Sequence, residues 1–142
     1  MDSLTLAVSR TIGEAALQHA EGRGWAITIA VLDIGGYPMF IARMEDCNFL
    51  SPDIARGKAY GALAWKMSSG DLADRFAANV AGVPGMVAAS GQRIVPVRGA
   101  LCIWEGKRLL GAAGASGVRS DEDEECVRAG IEAAGLSSAR QA

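Results

Sequence analysis

Long apolar runs are missing from this 142-residue chain, and no stretch approaches the ~20 residues that a membrane span requires. Met1-Asp2-Ser3 has no basic character and no apolar core follows it, so a secretory leader is not expected. Charge of one sign is also lacking. Fourteen basic against 16 acidic residues leave a net charge of −2, which offers no broad field for nucleic acid or an anionic membrane. The three cysteines, Cys47, Cys102 and Cys126, are odd in number and share no metal-ligand spacing. A disulfide framework and a zinc site are therefore not expected, and a reducing cytoplasm is the natural setting. Aromatic residues make up only 6%, and histidine occurs once, at His19.

What the chain has instead is small apolar residues. Half of it is hydrophobic, and much of that is alanine, beside 18 glycines, which favours closely packed elements over bulky filling. The extreme case is Gly111-Ala112-Ala113-Gly114-Ala115-Ser116-Gly117, a strand end that leaves its backbone open to another helix or a flat ligand. Ser120 follows as an expected N-cap, with Asp123 at the capping-box position of an acidic helix start. The glycine spacing does not match G-x-G-x-x-G, and five carboxylates at the helix start would repel a pyrophosphate, so nucleotide binding is not expected there.

Periodicity predicts a helix from Leu4 to about Gly22, then strands Trp25–Leu32 and Tyr37–Met44 joined by the turn at Asp33-Ile34-Gly35-Gly36. Ser51-Pro52 opens a helix to about Lys66, and a short helix runs from Asp71 to Asn79. A loop at 82–85 and a stretch of either helix or strand at 86–90 lead to a proline-bearing strand, Arg93–Val97. Ala100–Trp104 and Lys107–Ala113 flank a hairpin turn, and a last helix covers about Asp121 to Ala134. The expectation is one α+β domain over residues 1–142: a five-stranded antiparallel sheet with helices on both faces, in three layers.

Four segments in this order resemble a known family: Ile29-Ala30-Val31-Leu32-Asp33-Ile34-Gly35-Gly36; Ala42-Arg43-Met44-Glu45; Ile54-Ala55-Arg56-Gly57-Lys58-Ala59-Tyr60; and the 111–117 signature with Asp123-Glu124 and Ala129-Gly130. They resemble the GlcG/HbpS-like family of small haem-binding and haem-degrading proteins, to which the C-terminal domain of a propanediol-utilisation corrinoid adenosyltransferase also belongs. The resemblance spans essentially the whole chain. It implies a profilin-like sheet, assembly into homo-oligomers and, in some members, haem as a bound group. Where the family usually carries Pro-Gly-Gly-x-Pro, this chain has Arg98-Gly99-Ala100-Leu101-Cys102, so that loop is expected to differ in shape.

Candidate site residues each have a functional and a plain structural reading. His19 lies on the apolar stripe of the first helix and is the only imidazole for a haem iron; its plain reading is packing against the sheet. Met39, Met44, Tyr37, Tyr60 or a cysteine are the other possible iron donors. Arg43, Arg56 and Lys58 can hold carboxylates if they face a cleft, with Tyr60 beside them; otherwise they form ion pairs joining helix to sheet. Lys58, among small neighbours, and Asp53 are the candidate acid–base residues for a lyase or isomerase acting on an organic acid. Asp33 can face a ligand or cap its turn, and Glu124 can face a subunit cleft or serve the helix dipole. Cys47 is expected to be exposed, Cys102 and Cys126 buried, and the tryptophans to serve core or interface. Ser116 has no partner for a Ser-His-Asp hydrolase. The leading expectation is a small homo-oligomeric protein that binds haem or a similar planar, carboxylated molecule. A catabolic enzyme and a ligand-free structural or regulatory oligomer are the alternatives.

Overall fold

A computed structural model describes residues 2–142. Helix α1 (Leu6–Gly22) begins at Thr5, whose hydroxyl accepts from the Val8 amide at 3.1 Å. Strands β1 (Thr28–Asp33) and β2 (Pro38–Arg43) form a hairpin. Helices α2 (Ser51–Trp65), α3 (Ser69–Ala77) and α4 (Val83–Ala89) follow, with a single 3-10 turn at Val80–Gly82. Strands β3 (Ala100–Glu105) and β4 (Arg108–Ser116) form the second hairpin, and α5 (Ser120–Ala133) closes the chain.

The sheet is antiparallel in the order β2-β1-β4-β3. It has four strands among the described residues, where the sequence predicts five. Residues 93–97 are strand-like in composition, but Val95 donates its amide to the Gly57 carbonyl of α2 at 3.1 Å. Pro96 has no amide to give a ladder. Gly57 permits the docking, since a Cβ there would lie 2.5 Å from Val95 Cγ2. The segment is therefore a strap across α2.

Alternate strand residues face opposite ways. Ile29, Val31, Leu101, Ile103 and Ala113 pack with Ile12 and Ala16 of α1 and with Val127 and Ile131 of α5. Leu32, Ala100, Cys102 and Ala112 pack with Ala59, Ala62 and Leu63 of α2. Fully buried isoleucines such as Ile12, Ile29, Ile103 and Ile131 each contribute ~1.5–3 kcal/mol of transfer free energy. The small residues decide how close the helices come. Ala30, Gly114 and Ala100 form one cross-strand row, and a Cβ on Gly114 would lie 2.4 Å from the Ala55 carbonyl oxygen of α2. At Gly114 the open backbone thus receives a helix rather than a flat ligand, while the Leu32 and Ala26 carbonyls close over Gly111 and Gly117.

The start of α5 is displaced by one residue from expectation. Arg119 is the N-cap and its amide donates to Glu122 Oε1 at 3.2 Å, while Ser120 is already helical. Ser51 is likewise the first helical residue of α2 and not its cap. No helix among the described residues is long and apolar enough to cross a membrane.

Candidate functional site

Helix α2 separates two groups of side chains. Asp53, Arg56, Gly57 and Tyr60, at helical spacings of three and four, come to one outward stripe. Against them lies the strap, contributing Gln92, Arg93 and Val95, and the two sides enclose a cleft of about 210 Å³. Arg93 is held in place by donating from Nε to the Ser90 carbonyl at 2.7 Å, and its guanidinium carbon lies 4.6 Å from the Tyr60 ring centroid. That is cation–π geometry. On the far side of Tyr60 is a second cleft of about 380 Å³, lined by Ile34, Gly36, Leu63, Lys66 and Leu109. Gly36, at φ +83°, lets the Tyr60 ring edge pass; a Cβ there would meet Tyr60 Cε2 at 2.8 Å. Tyr60 is the ridge between a cationic cleft and an apolar slot. Among the described residues, the Arg56 guanidinium is not held in an ion pair, so a carboxylate entering the first cleft would meet two guanidinium groups against the one carboxylate of Asp53.

Lys58 faces the other way. It is 3% exposed, and its ammonium donates to the Ala115 carbonyl at 3.0 Å and to Asp123 Oδ2 at 3.1 Å. Asp123 also accepts from the Val118 amide at 3.2 Å, which ties α2, β4 and α5 together. Burial pushes the Asp123 carboxyl above its ordinary pKa, against the pull of Lys58. Of the two readings of Lys58, a cleft beside Arg43 or an ion pair joining helix to sheet, its contacts are those of the second: its amine is used inside the protein, and Asp123 is drawn away from the capping position to meet it. Arg43 is exposed and donates to the carbonyls of Met44, Glu45 and Cys47, the last at 2.7 Å. Of the two residues expected to do acid–base chemistry, Asp53 lines the cleft and Lys58 does not.

The remaining candidates are dispersed. Asp33 Oδ1 accepts from the Gly35 and Tyr37 amides at 2.9 and 3.0 Å, as a turn cap does. Glu124 is buried and receives both Nε and Nη2 of Arg98, at 3.0 and 2.7 Å, with Arg128 at 3.6 Å. This fastens the entry to β3, where Gly99 takes φ +134° against the Lys58 ammonium; residues 100–102, expected in a loop, are already strand. His19 flanks the buried stripe of α1 (Ser9, Ile12, Gly13, Ala16, Ala20) and does not lie on it. Its Nε2 is 2.8 Å from Glu125 Oε2, its ring meets Trp25 edge-on, and Arg23 lies over the same indole at 4.6 Å. Helix α1, which carries His19, packs on one set of strand residues, and α2, which carries Tyr60, on the other.

Cys47 is buried, contrary to expectation, and burial raises its thiol pKa; Cys102 and Cys126 are pushed up to about 12. No group of three or more His, Cys, Asp or Glu that could hold a metal ion occurs among the described residues. Sequence reasoning missed Gln92, Arg93 and Lys66. The available signal for the first two was the run Gly91-Gln92-Arg93, three residues before a proline that no central strand would carry; Lys66 had none.

Known proteins share this architecture. A 15.0 kDa protein from the dhaT–dhaS intergenic region of Citrobacter freundii is 28% identical over 121 residues, covering 85% of this chain and 84% of its own length. The corrinoid adenosyltransferase PduO of the same species is 26% identical over 131 residues; these cover 92% of this chain but only 39% of that enzyme. A solved structure of HbpS from Streptomyces reticuli, a double mutant, superposes with a TM-score of 0.82 at 26% identity, covering 93% of this chain and 87% of that one. A solved PduOC–haem complex has the same fold, with a TM-score of 0.86 at 22% identity over 97% and 99% of the two chains. The model of the haem-degrading HbpS-like proteins matches residues 4–132, and the chain belongs to that family.

Proposed function

We propose that this chain binds haem, or a flat carboxylated molecule like it, in the paired clefts that meet at Tyr60. The observation that carries this reading is the Arg93 guanidinium stacked on Tyr60, with Arg56 in the same cleft and an apolar slot immediately beyond. The donor set suits the group: two guanidiniums for its propionates, Ile34, Leu63 and Leu109 for its apolar edge, and glycines that leave the slot wall low. When bound, haem supplies an iron centre whose chemistry depends on its axial donors. Tyr60, at the ridge, would be an oxygen donor from within one chain, and Asp53 lines the same cleft. His19, across the sheet, would serve an iron in this cleft only from a second copy.

Assembly as a homo-oligomer in the cytoplasm is part of the same proposal. Phe49 is 89% exposed and Leu50 and Ile41 are also exposed, which gives apolar surface for a second copy, while three free thiols suit a reducing compartment.

Titration of hemin into the protein tests the reading. A shifted, saturating Soret band is expected, and Tyr60→Phe is expected to change its position or intensity. A spectrum that stays that of free hemin would remove the proposal.

A further inference from the structure

Four helices of this chain end in the same backbone motif. The amide after the turn donates back five residues: Trp25 to Ala20, Met67 to Ala62, Gln92 to Val87 and Leu136 to Ile131, at 2.8 to 3.2 Å. In each case the residue before that donor is left-handed. Helices α1, α4 and α5 use Gly24, Gly91 and Gly135 there, with φ of 71–72°. Helix α2 uses Lys66, at φ 57°.

Glycine adopts this conformation without steric cost, whereas a lysine is strained in it. Backbone strain of this kind persists where the side chain has a use, and clusters at ligand sites. Lys66 lines the apolar slot beyond Tyr60. The other non-glycine residue with positive φ among the described residues is Gln92, at 63°, and it lines the cationic cleft on the near side of Tyr60. Gly91 already supplies the left-handed turn that ends α4, so the helix end alone does not ask for it at Gln92. Both outliers thus fall on the two clefts that meet at one ridge.

We infer that Lys66 is a ligand-contact residue retained against the preference of its own helix end, with Gln92 as its counterpart at the opposite end of the site. This rests on the proposed binding at Tyr60 and adds the extent of the ligand. Arg56 and Lys66 are ten residues apart on one helix, roughly 15 Å of axial rise. The site therefore takes an elongated or broad amphipathic anion: acid groups on Arg56, Arg93 and Gln92, and an apolar body closed over by the Lys66 stem, whose ammonium stays in water.

Three substitutions at this position test the inference, each followed by thermal melting without hemin and by hemin titration. Lys66→Gly gives α2 the ending used by the other three helices, so its melting temperature is expected to rise above wild type. Its hemin affinity is expected to fall about two- to fivefold, because the apolar cover given by the lysine stem is lost. Lys66→Asn, which tolerates the left-handed turn without the long stem, is expected to lose affinity similarly, and Lys66→Arg, which keeps a long stem, to retain it. A merely structural lysine would not give higher stability with weaker binding. Wild-type affinity in Lys66→Gly or Lys66→Asn, while Arg93→Ala weakens binding, would overturn this inference alone. A lower melting temperature in Lys66→Gly would also overturn it. Failure of the wild-type protein to bind hemin would overturn the functional proposal and this inference with it.

Discussion

Helix α2 carries Lys58 and Arg56 two residues apart, and the helix gives them opposite environments. Lys58 points inward, ringed by small residues, and is neutralised by Asp123 and the Ala115 carbonyl. Arg56 points outward into a cleft whose far wall holds a second guanidinium stacked on an aromatic ring. The buried cation is consumed by the fold, while the half-open pair is left for a ligand. The small-residue strand that invites a planar guest is satisfied at Gly114 by α2 itself, and the proposed ligand surface is on the outer side of that helix.

The largest effect that would sharpen this contrast lies on the inner side. Lys58→Met leaves Asp123 buried without its partner and is expected to lower stability by about 3–5 kcal/mol. The double variant Lys58→Met/Asp123→Leu is expected to regain most of that loss, as read by denaturant unfolding. A single variant no less stable than wild type would break the comparison. Next in size is Gly114→Ala, which drives a Cβ against the Ala55 carbonyl and is expected to cost about 1–3 kcal/mol. On the outer side, Arg56→Ala and Arg93→Ala are expected to stay within about 0.5 kcal/mol of wild-type stability, because both sit on an exposed rim.

The smallest effect concerns pH. The hydrogen bond from His19 holds the Glu125 carboxyl below its ordinary 4.5, and Arg119 holds Asp121 down to about 2. A carboxyl that ionises more readily in the fold adds stability that is fully present above its unfolded pKa. That contribution drains away as pH falls through the folded value. Burial moves Asp123 in the opposite direction, so total acid stability mixes both signs. Comparing wild type with Glu125→Gln isolates one carboxyl. The wild-type advantage in melting temperature is expected above pH 4.5 and should shrink below it; a gap that widens on acidification would contradict the assignment.

Much of the architecture was legible from local chemistry. Helix spacing found α1, α2, α3 and α5, and turn residues found both hairpins, because those signals depend on neighbours a few residues away. The 93–97 strap was not legible, since Ile94, Val95 and Val97 carry strand propensity and only the missing side chain at Gly57, some 38 residues earlier, lets them dock on a helix. That error also hid Arg93. Asp53, Arg56 and Tyr60 were recognisable as candidates, and their helical spacing brings them together. Lys58 stays open between its two readings in the sequence because small neighbours accompany both a cleft and a tight helix–sheet contact, and only Asp123, 65 residues later, separates the two. Cys47 was expected outside because its loop is polar, but its thiol is buried against Gly117.

The central claim is that guanidiniums on the outer side of α2, and not the cation beneath it, receive the ligand. Hemin titration of Arg56→Ala/Arg93→Ala tests it most directly. The double variant is expected to fold and to bind hemin about tenfold or more below wild type, as two charge-assisted contacts are lost. Wild-type affinity in that double variant would contradict it.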